Sequence, residues 1–144
     1  MVATQSDSKQ VLLAEDEPMV RNLIQQFLHS WGYRVLSASN GREAMEFAEK
    51  HKSEIDLLVS DVTMPEMDGV ELAKKLKAKR PRLQVILLSG YSHTSFVLQR
   101  EWKFIQKPFR SHELKAAVED SLEPKSDLCF LGSERAFDRS AIFS

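Results

Sequence analysis

The sequence predicts an α/β fold built on an open parallel sheet. Short apolar runs of strand length alternate with stretches of helical periodicity through most of the 144 residues. The apolar fraction of 42% is enough for one buried core, in a chain of ordinary single-domain length. Acidic residues and a lysine recur where the apolar runs stop, as expected of strands whose ends open into a common site.

The strands are expected at 11–14, 34–38, 57–60, 85–89 and 104–106, the second having the least regular alternation. Between the first two lies the clearest helix, in which Val20, Leu23, Ile24, Phe27, Leu28 and Trp31 form one apolar stripe. Pro18 suits its first turn and Gly32 its C′ position. A second helix begins after Asn40-Gly41 and carries Ala44, Met45, Phe47 and Ala48. The third spans about 68–79, with Leu72, Ala73 and Leu76 inward and five Lys or Arg residues between Lys74 and Arg80 read as a solvated face. The connection over 90–103 is close to the minimum for a parallel crossover, so its helix must be short. Ser111 is expected to cap the last helix, which presents Leu114, Ala117, Val118 and Leu122 to the sheet. Glu123-Pro124 ends the pattern, dividing the chain into a domain over 9–123 and a tail over 124–144. Phe130, Leu131, Phe137, Ile142 and Phe143 suit either a tail docked on the domain, another copy or a partner, or a frayed end.

Composition excludes several classes. A net charge of −1 gives no basic footprint for nucleic acid. No apolar run is long enough to span a bilayer, and the opening MVATQSDSKQ lacks the apolar core of a secretory signal. Cys129 is the only cysteine, which points to a reducing cytoplasm without disulfides. His29, His51, His93 and His112 show no metal-ligand spacing.

Glu15 and Asp16 close the first run, Asp61 closes the third, and Lys107 follows the fifth and precedes Pro108. At the C-terminal edge of a parallel sheet these would share one pocket, three acids around one fixed cation. Acids so close cannot all stay ionised without positive charge among them. Oxygen donors on rigid strand ends suit a hard divalent ion, Mg2+ first and Mn2+ as the alternative, whereas zinc or copper would call for His or Cys. Asp16 and Asp61 are the expected direct ligands, Glu15 reaches the ion directly or through water, and the Thr63 backbone carbonyl completes the protein share. Asp61 is the expected nucleophile, because a carboxylate can attack phosphorus to give an acyl phosphate. Lys107 would neutralise phosphoryl charge, or pair with Asp61 at rest, and the two roles are compatible. Ser89, at the end of the fourth strand, either donates its hydroxyl to a phosphoryl oxygen or simply opens a turn. Phe104, at the start of the fifth, reads by default as packing.

The segments VLLAEDEP, LLVSDVTMPEMDG, VILLSGY and FIQKPF, in that order, resemble the receiver domain of two-component response regulators over about 9–122. The resemblance implies a flavodoxin-like, doubly wound five-stranded parallel sheet of order 2-1-3-4-5 with helices on both faces. It implies that Asp61 is phosphorylated by a histidine kinase or a histidine phosphotransfer protein, with Mg2+. By position, Glu15 and Asp16 become the acidic pair, Thr63 the carbonyl ligand, Ser89 the switch hydroxyl, Phe104 the switch aromatic and Lys107 the pocket lysine. A phosphoryl group on Asp61 would draw Ser89 inward, let Phe104 turn in, and shift the surface of the fourth helix, fifth strand and fifth helix toward its active form. Such a domain assists only its own phosphorylation and dephosphorylation and is not otherwise an enzyme.

The sequence departs from the pattern in places. Glu15 stands where Asp is more usual, and Gly90 where Ala often follows the switch hydroxyl. The stretch between Ser89 and Lys107 is about one helical turn short, which trims the fourth helix and puts the usual homodimer or partner face in question. The SGY…KPF pattern is similar to receivers attached to hybrid sensor kinases. Tyr91 is bulky enough to shield an acyl phosphate, which predicts slow autodephosphorylation. The residues after Leu122 are too few for a helix-turn-helix domain, so output through an unidentified downstream protein is expected, with no nucleic acid or membrane contact. Two other readings compete. A small-molecule phosphohydrolase would use the same Asp61, Mg2+ and Lys107, but haloacid-dehalogenase-like enzymes carry a second Asp where Thr63 stands. A nucleotide- or flavin-binding module lacks GxGxxG, a P-loop and a small-residue loop after the first strand.

Overall fold

Strand-length apolar runs whose two faces are both covered by helices pair side by side, and five of them do so here. The computed structural model describes residues 8–90 and 102–122. The elements are β1 (Gln10–Ala14), α1 (Pro18–Ser30), β2 (Arg34–Ala38), α2 (Gly41–Lys50), β3 (Leu57–Asp61), α3 (Gly69–Lys79), β4 (Gln84–Ser89), β5 (Lys103–Gln106) and α4 (Ser111–Leu122). All the strand pairs are parallel, in the order β2-β1-β3-β4-β5. The expected short helix between β4 and β5, Tyr91, His93, Cys129 and the tail over 124–144 lie outside the described residues.

Alternate side chains of the central strands feed two separate cores. Leu12, Leu58, Val85 and Leu87 meet Ala44 and Ala48 of α2 and Leu72, Ala73 and Leu76 of α3. Val11, Leu13, Leu57, Val59, Ile86 and Leu88 meet Ile24 and Leu28 of α1 and Leu114 and Val118 of α4. β1 and β3 are buried along their whole length, whereas β2, on the sheet rim, is only partly covered. That edge position explains the irregular pattern of the second run.

Local chemistry sets the helix ends. Gly32, at φ 96°, closes α1 with the left-handed turn that glycine favours. The Gly32 and Tyr33 N–H groups then donate to the carbonyls of His29 and Leu28, the paired bonds of a Schellman motif. Asn40 caps α2 by accepting the Glu43 N–H at 2.8 Å, while Glu43 reaches back to accept the Ser39 N–H at 2.6 Å. Asp68 caps α3 by accepting the Glu71 N–H at 2.8 Å.

Three local expectations are corrected. Leu23 is 47% exposed, so the stripe of α1 narrows to Val20, Ile24, Phe27, Leu28 and Trp31, and Leu23 turns outward beside the still more exposed Met19. Ser111 is already inside α4, because Leu114 N–H donates to the Arg110 carbonyl; Glu113 caps the end by accepting the Arg110 N–H at 2.7 Å. The basic run of α3 is not wholly solvated either. Lys77 donates to the carbonyls of Pro81 and Leu83, and Arg80 to those of Ala48, His51 and Ser53, tying α3 to the end of α2.

Candidate functional site

The register of the sheet assembles the site. Ala14 pairs with Ser60, so Glu15 and Asp61 leave neighbouring strands at the same level. Ser89 pairs with Gln106, and the Lys107 N–H extends that ladder to the Ser89 carbonyl at 2.7 Å. The Val62 N–H donates to Leu88 O at 2.8 Å, which holds the chain in line one residue beyond Asp61. Acids and lysine distant in sequence therefore arrive at one edge because their strands end together.

One carboxylate oxygen from each of Glu15, Asp16 and Asp61 lies within 4.8 Å of the other two. Lys107 Nζ stands 3.3 Å from Glu15 Oε1 and 3.3 Å from Asp61 Oδ2. Glu15 is wholly buried and Asp61 nearly so, whereas Asp16 is exposed at the mouth. The second Glu15 oxygen accepts the Glu17 N–H at 3.1 Å. Asp61 accepts the N–H of Thr63 from the exposed turn that follows β3. Ser89 is buried at the end of β4. Phe104 packs partly buried against the core that α2 and α3 cover, and it lines, with Lys107 and Pro108, a cavity of about 480 Å³.

Burial pushes the Asp61 carboxyl above its ordinary value, and the Lys107 ammonium opposes that only in part. Burial likewise raises Glu15, against the Glu17 N–H, with the Asp61 charge adding to the rise and Lys107 opposing it. For Lys107 burial alone would favour the neutral amine, but the Glu15 and Asp61 charges outweigh it and hold the ammonium above its usual range. Among the described residues three acids thus face one cation, and the uncompensated charge suits a divalent ion with oxygen ligands. Among the described residues nothing softer than oxygen enters this cluster.

Several participants are not singled out by the linear pattern. Arg21 donates through Nη1 to the Glu15 carbonyl at 2.8 Å and so fixes the turn that presents Asp16. Gly69 N–H donates to Val62 O at 2.8 Å and packs against the main chain of Asp61. The Lys107–Pro108 peptide is cis. Of these, Gly69 had a signal, since it stands directly after the helix cap in MDG. Arg21 had none beyond its place in the first turn of α1.

Comparison with known proteins agrees with this geometry. Residues 11–119 match the response regulator receiver domain family. The chain is 40% identical over 122 residues to the sensor kinase CckA of Brucella abortus, a match spanning 82% of this chain but 13% of that kinase. It is 32% identical over 118 residues to the response regulator receiver protein CpdR of the same organism, covering 79% of this chain and 97% of the relative. Among solved structures, the receiver domain of the hybrid histidine kinase CckA superposes with TM-score 0.70 at 36% identity, covering 79% of this chain and 99% of the other. The response regulator TrrA of Thermotoga maritima, solved in complex with Mg2+–BeF, gives TM-score 0.70 at 33% identity over 79% of this chain and 99% of its own. Sheet order, the acid cluster at the strand ends and these matches lead to one conclusion: the chain belongs to the response regulator receiver domain family of two-component systems.

Proposed function

We infer that this receiver accepts a phosphoryl group on Asp61 from a histidine kinase or a histidine phosphotransfer protein. The observation that carries the reading is the shared Lys107, 3.3 Å from both Glu15 and Asp61 at the rim of a three-acid cluster. An Asp61 carboxylate oxygen attacks phosphorus, the O–P bond forms as the P–N bond to the donor imidazole breaks, and the imidazole leaves with a proton. Lys107 stands beside Asp61, where it meets the phosphoryl charge as it arrives. Glu15, Asp16, Asp61 and the Thr63 carbonyl would hold Mg2+, or Mn2+ in its place, which when bound neutralises phosphoryl oxygens.

Ser89, buried one strand over from Asp61, acts as the switch hydroxyl and Phe104, bordering the cavity beside Lys107, as the switch aromatic. Output then passes by protein contact to a downstream partner, or through a homodimer, from a domain spanning 9–123 that works in the cytoplasm. No helix among the described residues is long and apolar enough to cross a membrane. Chemistry stops at the chain's own phosphorylation and dephosphorylation, without turnover of an outside substrate.

The test is intact mass after incubation with acetyl phosphate, with and without Mg2+, on wild type and Asp61→Asn. One phosphoryl adduct that needs Mg2+ and vanishes in the variant supports the reading; an adduct that persists in Asp61→Asn refutes it.

A further inference from the structure

Two carboxylates hold the Lys107 ammonium, and only one of them outlasts phosphorylation unchanged. Once phosphorus bonds an Asp61 oxygen as an acyl phosphate, the carboxylate charge is gone and the anion there becomes the phosphoryl group, further out. Glu15 is not modified by the reaction. Its carboxylate is wholly buried, with one oxygen 3.3 Å from Lys107 Nζ and the other 3.1 Å from the Glu17 N–H. Its own peptide is clamped at both ends: the N–H donates to Ala38 O at 3.1 Å and the carbonyl accepts Arg21 Nη1 at 2.8 Å.

We propose that Glu15 is a positioning residue that anchors Lys107 for phosphoryl capture at Asp61. The proposal rests on the phospho-acceptor reading above. Side-chain length is the deciding feature. An aspartate at position 15 keeps the charge but falls short by one carbon–carbon bond, about 1.5 Å. The clamped peptide cannot follow to close that gap. Among the described residues Lys107 then depends on Asp61 alone, the group whose charge the reaction removes. Charge-assisted hydrogen bonds of this kind weaken steeply with distance, so the shorter acid is not a conservative replacement here.

Glu15→Asp, Lys107→Met and the double variant test this in two ways. The first is the rate of phosphorylation by acetyl phosphate, followed by intact mass at saturating Mg2+ so that a weaker metal site cannot account for a loss. Glu15→Asp should be slower by about tenfold, and the double variant no slower than Lys107→Met. A wild-type rate in Glu15→Asp, or losses that multiply in the double variant, overturns the proposal. The second is urea unfolding of the metal-free proteins in chelator, which needs no phosphoryl transfer. The midpoint change caused by Lys107→Met should shrink by roughly half or more when Glu15→Asp is already present. An undiminished change overturns the anchor. Should the wild type take up no phosphoryl group at all, the acceptor reading fails, and the unfolding cycle alone decides whether Glu15 holds Lys107.

Discussion

Gly69 rests so closely against the main-chain carbonyl of Asp61 that a β-carbon on Gly69 would collide with that oxygen. The contact joins the first turn of α3 to the last residue of β3. It allows the chain to leave β3, turn through 63–68 and start a helix without displacing the acid. Gly69→Ala should therefore destabilise the fold by about 3 kcal/mol, since backbone cannot repack as a side chain can. It should also weaken Mg2+ binding by shifting Asp61. Urea unfolding and metal titration check both, and wild-type values in the two would contradict the packing argument.

Asp61 gives a prediction of opposite sign. Burial raises its carboxyl above the ordinary 3.8. A carboxylate raised in the fold contributes stability that is present below its unfolded value and lost as pH climbs through the folded one. At neutral pH in chelator the ionised Asp61 is thus a burden on the fold. Asp61→Asn should raise the metal-free melting temperature by roughly 2–5 °C. Mg2+ should then stabilise wild type more than the variant, because it binds the acid-bearing fold. A lower melting point in metal-free Asp61→Asn would show that the Lys107 pairing outweighs burial.

Glu43 titrates the other way. The Ser39 N–H, and then its hydroxyl, hold the Glu43 carboxyl below its ordinary 4.5. Its contribution is present above that value and is lost as pH falls through the lower folded one. Glu43→Gln should be less stable than wild type at pH 7, with the two converging in acid below the folded value. A gap that survives acidification unchanged would rule out the carboxylate as its source. Asn40→Ala, at the same helix start, should lose about 1 kcal/mol.

By sequence alone Arg80 belongs to a solvated basic face. Instead it donates to three carbonyls, those of Ala48 and His51 at 3.0 Å each and that of Ser53 at 3.2 Å. Arg80→Ala should destabilise by about 2 kcal/mol by stripping donors from the end of α2, whereas exposed Lys74→Ala should stay within about 0.5 kcal/mol. Equal effects from the two substitutions would refute the distinction.

These cases mark what the linear pattern carried. The strand ends were legible because β1 and β3 are apolar on both faces and stop at acids, and the sheet then brings Glu15, Asp16, Asp61 and Lys107 together as expected. The same pattern says nothing of how far a side chain reaches. Periodicity placed Leu23 on the α1 stripe, but it sits on the flank where the sheet no longer covers it. Ser111 was a reasonable cap by type, yet Glu113 reaching back to Arg110 starts α4 one residue earlier. Glu15 bonding Lys107 across 92 positions is likewise a matter of side-chain length and clamped backbone, visible only in three dimensions.

The proposed phosphoryl acceptor is Asp61 itself. The most direct measurement is borohydride reduction of the acetyl-phosphate-treated protein, followed by peptide mass mapping. Hydride cleaves an acyl phosphate and leaves homoserine in place of the aspartate. The expected result is that mass change at position 61 alone, dependent on Mg2+. Phosphate retained on Ser89, Thr63 or a histidine, with position 61 unmodified, would contradict it.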